Sequence, residues 1–123
     1  MEASRDFPNF YDTEVLPQLE KEIGKDRALL AAQQAKPTPR DPLDEEWRET
    51  PRALAAEIMA RDKILRVLGR DSTAGLAQAR EWMKSPDPQL VDAADDVLTD
   101  IGGHEQEALA ARRARLRLLE RSP

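Results

Sequence analysis

The chain has 123 residues, no cysteine and a formal charge of −5, and it is 40% apolar, 35% charged and only 4% aromatic. One domain of this length can bury about two-thirds of its unfolded surface, so there is material for a single core built from Leu, Ile, Val, Met and Ala. Disulfides and thiolate metal sites are excluded, the acidic balance argues against general affinity for nucleic acid or anionic membranes, and no apolar run is long enough to span a bilayer. The segment Met1-Glu2-Ala3-Ser4-Arg5-Asp6 has neither a basic region nor an apolar run, so the expected setting is a soluble protein of the cytoplasm.

Residues 1–12 lack periodicity but hold Phe7, Phe10 and Tyr11, and are expected to form an aromatic-bearing N-terminal tail before a single helical domain over 13–123. From about Thr13 to Ala35, Leu16, Leu19, Ile23 and Leu30 return to one face at helical spacing. Pro17 is tolerable there because it falls in the first turn, and Gly24 either weakens this helix or divides it in two. Lys36-Pro37-Thr38-Pro39-Arg40 reads as an extended linker. Asp41-Pro42 then gives an N-cap and a first-turn proline for a short helix carrying Trp47. Thr50-Pro51 repeats that start signal and opens a longer helix with Leu54, Ile58, Leu65 and Leu68 inward and Gly69 as its stop. Asp71 or Ser72 caps the next helix, with Leu76, Ala79, Trp82 and Met83 inward, which ends near Ser85-Pro86. Asp87-Pro88 starts another, with Leu90, Ala94, Leu98 and Ile101 on one stripe and Gly102-Gly103 ending it. A last helix covers about His104 to Glu120, with Leu109, Leu116 and Leu119 as its apolar stripe. No stretch alternates with period two, so the fold class is all-α, a compact array of five to six helices containing two αα-hairpins.

Glu46-Trp47-Arg48-Glu49-Thr50-Pro51 and Glu81-Trp82-Met83-Lys84-Ser85-Pro86 share the pattern E-W-x-x-[ST]-P thirty-five positions apart, and contain the chain's 2 tryptophans. Either the strings coincide, or each Trp plugs the elbow of a helical hairpin, a folding role. Leu76 to Gly103, above all Lys84-Ser85-Pro86-Asp87-Pro88-Gln89-Leu90 through Ala93-Ala94 to Leu98 and Ile101-Gly102, resembles one HEAT-like repeat. Val91 and Asp92 stand where that family often has a basic residue. The resemblance implies a protein-binding helical scaffold and no particular chemistry. Trp82, Pro86, Pro88 and Leu90 are also similar to the toxin-binding domain of Xre-associated, ParS-type antitoxins, without the Gly-Gly and Pro that follow there.

Asp92, Asp95, Asp96 and Asp100 put four carboxylates on roughly one helix face, to be solvated, docked on a basic partner, or used for a cation. One straight helix diverges its carboxylates and no D-x-D-x-D-G loop is present, so no metal or cofactor is expected. Arg112, Arg113, Arg115, Arg117 and Arg121 crowd the last helix. They suit its C-terminal dipole and could lie along the preceding acidic helix, or meet a protein or phosphates. His104 is the single histidine, and Ala108 stands where a zincin motif would need a second. No nucleophile elbow or phosphate-binding glycine loop is present, so no enzyme is expected. Phe7, Phe10 and Tyr11 either cover the end of the bundle or form a short docking motif. The sequence therefore points to noncatalytic binding of another protein, as adaptor, chaperone, inhibitor or small subunit. Nucleic-acid-associated or antitoxin-like regulation through the arginine helix is the alternative.

Overall fold

Pro17 sets how the first helix begins. The computed structural model describes residues 10–35 and 45–121, with side chains over 10–35 and 49–120. Phe7, the 36–40 linker, the Asp41-Pro42 cap and the side chains of Trp47 and Arg121 lie outside these. Pro17 has no N–H for the turn behind it and its ring crowds the carbonyl four residues back. The chain answers with a π-helical turn over Tyr11–Val15, in which the Leu16 N–H reaches the Tyr11 carbonyl. Helix α1 (Leu16–Gln34) follows, burying Leu16, Ile23, Leu30 and Gln33. Gly24 lies on its exposed side and the helix runs through it unbroken.

Helix α2 (Glu45–Val67) corrects the sequence expectation at Thr50-Pro51, because one helix passes straight through both residues. An interior proline forfeits one hydrogen bond and costs about 3 kcal/mol. Here Pro51 is fully buried and its neighbour Thr50 accepts a buried hydrogen bond from Gln33 Nε2 at 3.2 Å. Tertiary packing thus holds a helix that local preference would break. The α2 end is as expected: Gly69 at φ 72° lets the Arg70 N–H reach the Leu65 carbonyl at 2.8 Å and the Gly69 N–H reach Arg66 at 3.0 Å.

Asp71 Oδ1 accepts from the Thr73 N–H and hydroxyl just before α3 (Ala74–Met83). Ala79 and Trp82 are buried in the core, with Leu76 and Met83 packed against it. At the second Trp-Pro string the chain does turn. Ser85 Oγ accepts from the Asp87 N–H, and the Asp87 side chain caps α4 (Pro88–Ile101) by accepting from the Gln89 N–H at 2.9 Å. Gly102 and Gly103, at φ 79° and 75°, end α4, and α5 (Glu105–Arg121) follows.

Three cross-links fix α1 and α2 as an antiparallel pair: Asp12 with Arg70, Glu20 with Arg61, Gln33 with Thr50. Helix α4 lies at the centre, burying Leu90, Val91, Ala93, Ala94, Val97 and Leu98 and touching α2, α3 and α5. The helices form a row, α1 on α2, α2 on α4 and α4 on α5, with α3 bridging α2 and α4. No strand occurs among the described residues, and no helix of theirs is long and apolar enough to cross a membrane. The fold is an all-α array.

Candidate interaction face

Helical spacing places the α4 carboxylates towards α5 and α2, and three of the four meet cations of those helices. Arg112 Nε donates to Asp95 at 2.9 and 3.1 Å, and its Nη2 donates to Thr99 Oγ1 at 3.3 Å. Arg115 lies 3.7 Å from Asp92, and Lys63 of α2 lies 3.2 Å from Asp100. Asp96 stays on the exposed flank. Partial desolvation and then the charges of Asp92 and Asp95 push its carboxyl above the ordinary value. The acidic face is therefore mostly a seam inside the molecule. Among the described residues no three carboxylate or imidazole groups converge on a point that could hold a metal ion.

The same seam divides the arginines. Arg112 and Arg115 are spent on α4, whereas Arg113 and Arg117 make no ion pair among the described residues. What α5 buries is Ala108 and Ala111, whose small side chains let it approach α4 closely. This corrects the expected apolar stripe: Leu109, Leu116 and Leu119 face solvent, 37%, 58% and 40% exposed. At about 100° per residue, Leu109 and Leu116 share one ridge of the exposed face of α5, with Leu119 on its α4 side and Arg113, then Arg117, on the side away from α4.

At the start of α5 the structure joins residues that sequence reasoning left apart. His104 Nδ1 lies 3.2 Å from Glu107 Oε1, and Arg80 of α3 forks onto both Glu107 oxygens at 3.0 Å. The Arg80 hydrogen bond, opposed by some desolvation and aided by His104, holds the Glu107 carboxyl down at about 2. The His104–Glu107 half was legible from its i, i+3 spacing, but Arg80 comes from another helix. A cleft of about 160 Å³ beside it is lined by Leu98, Thr99, His104 and Arg112 among others. The Thr99 hydroxyl there is taken by Asp95, so the arrangement works as a clamp between α3 and α5.

Of the N-terminal aromatics, Phe10 and Tyr11 meet edge to face with centroids 6.0 Å apart, and Phe10 is 53% exposed. Tyr11 rims an apolar cleft of about 220 Å³ with Ile64, Val67 and Leu68 of the α2 end, beside Lys63. The aromatic segment thus enters the helical body from residue 10 onward, and Asp12 is clasped by Arg70 at 2.6 and 2.8 Å. That clasp lowers the Asp12 carboxyl and raises the Arg70 guanidinium.

No protein-family model matches this chain, and neither the curated proteins nor the solved structures give a match. Function has to be argued from the faces just described.

Proposed function

We propose that the chain is a noncatalytic protein–protein interaction module of the cytoplasm, an adaptor, chaperone, inhibitor or small subunit, and that the outer ridge of α5 is its docking face. The observation that carries this is on α5, where Ala108 and Ala111 are buried while the larger Leu109, Leu116 and Leu119 are exposed. Leaving three leucines in water on one helix forgoes stabilisation that burying them would bring. Their position beside Arg113 and Arg117, which make no ion pair among the described residues, supports a partner that is apolar along its centre and acidic along one edge. The fitting occupant is an acidic amphipathic helix laid along α5.

A nucleic-acid partner finds less support. Arg112 and Arg115 are held by Asp95 and Asp92, which leaves few cations for phosphates on a chain of net charge −5. The hairpin formed by α3 and α4, whose sequence resembles a HEAT-like repeat, serves in this reading as the rigid base that presents α5.

The test compares two labelled helical peptides with the same leucine spacing, one glutamate-rich and one lysine-rich, and a labelled duplex DNA, by fluorescence anisotropy. Binding of the acidic peptide at least tenfold tighter than the basic one, lost on Leu116→Glu with an unchanged melting temperature, supports the reading. Preference for DNA, or affinity insensitive to Leu116→Glu, overturns it.

A further inference from the structure

The seam between α1 and α2 pairs its polar groups at three places and sets acid against acid at another. Asp12 meets Arg70, Glu20 meets Arg61 at 3.5 Å, and Gln33 meets Thr50. Between the last two, Glu57 of α2 meets acid. The charges that act on it come from α1 and are Asp26 and then Glu22. Glu57 Oε1 is buried without a hydrogen-bond partner. Arg61, one turn along the same helix, is directed to Glu20. The helices on the other side of α2 bring their charged groups elsewhere, as Asp100 of α4 to Lys63.

Helix α1 is also an end element of the row. Apart from the π turn that leads into it, it packs on α2. Among its polar links to the body, Arg27 Nη2 to Gln78 Oε1 at 3.2 Å and the Asp12–Arg70 clasp are exposed, whereas Gln33–Thr50 is buried and Glu20–Arg61 part-buried. The exposed pairs add little. Gln33 Oε1, Arg61 Nε and Arg61 Nη2 are buried on the same seam without hydrogen-bond partners, so the contact is far from a dry apolar fit. Local opening starts from such seams.

We propose that Glu57, facing Asp26 and Glu22 across the seam, is a proton-operated latch that holds α1 on α2 while its carboxyl is protonated and loosens it when that carboxyl ionises. Burial first, and then Asp26 and Glu22, lift Glu57 from 4.5 to about 7. Because the folded value is raised, the protonated carboxyl favours docking. That contribution is complete below about pH 4.5 and is lost as pH rises through about 7. The latch lies apart from the α5 ridge, since α5 packs chiefly on α4 and α1 chiefly on α2.

Amide hydrogen exchange on the full chain tests it, corrected for the intrinsic pH dependence of exchange. Linkage through a group titrating near 7 predicts that protection in α1 falls about tenfold between pH 6 and pH 8, while α4 keeps its protection. Glu57→Gln should hold α1 protected at both pH values. Asp26→Asn, which leaves Glu57 in place, should flatten the slope by removing the nearest repelling charge. Equal pH dependence in α1 and α4, or a slope unchanged in both variants, overturns the latch.

Discussion

Asp62 of α2 packs closely against Gly75 of α3. Asp62 is 1% exposed, and burial, partly offset by Arg61 and Arg66, raises its carboxyl above the ordinary value. Gly75, buried in the first turn of α3, leaves the room that this carboxylate fills; a Cβ there would collide with it and crowd Ile58. Gly75→Ala should therefore destabilise the fold by about 1–3 kcal/mol, the usual cost of overpacking, read from urea unfolding. Gly24 presents the opposite case, on the outer side of α1 with nothing within 4 Å of an added Cβ. Gly24→Ala should stabilise by about 0.5–1 kcal/mol through the lower helix propensity of glycine. A loss of stability at position 24 would mean that α1 is not the straight helix described.

At the scale of the element, the two Trp-Pro strings show why local sequence is insufficient. Ser85-Pro86 turns the chain because Asp87-Pro88 follows at once, supplying a capping carboxylate and a first-turn proline. Thr50-Pro51 is followed by Arg52-Ala53-Leu54, with nothing to start a new helix, and α2 continues. The six shared residues were visible, but the deciding ones lie just after them. Asp87→Ala should cost about 1 kcal/mol, the loss of an N-cap, whereas Thr50→Ala should weaken the α1–α2 seam through Gln33. The α5 stripe differs from its expectation for a related reason. Leucine spacing identifies an amphipathic helix but does not say which side is covered, and here alanines fit the space against α4. The pairing of Asp92 and Asp95 with Arg115 and Arg112 was legible as one of several uses for opposite charges on consecutive helices. Arg80 on Glu107, and Asp26 facing Glu57, depend on helices brought together only by the fold.

Across the whole molecule, the row α1–α2–α4–α5 has two ends that respond to opposite pH changes. Glu107, held down to about 2 by Arg80 and aided by His104, ties α3 to α5. A lowered carboxyl contributes stability that is present above about 4.5 and lost as pH falls through about 2. Glu57 acts the other way, losing its contribution as pH rises through about 7. Thermal melting followed across pH should show greatest stability near pH 4.5 from these groups, with α5 loosening first in acid and α1 first towards base. The same helix failing first at both extremes would contradict this division. The all-α class and most of the helix limits could be read from proline, glycine and apolar spacing, because those signals are local. The α5 ridge could not, because it is defined by what α4 leaves uncovered.

That ridge can be probed directly, since the chain has no cysteine and Leu116→Cys gives a single thiol on an exposed position. A nitroxide attached there should be mobile in the free protein. It should become immobilised when a glutamate-rich amphipathic helical peptide is added, and remain mobile with the lysine-rich counterpart. A label that stays mobile with both peptides, or is slowed equally by both, would contradict the assignment of α5 as a docking face for an acidic helix.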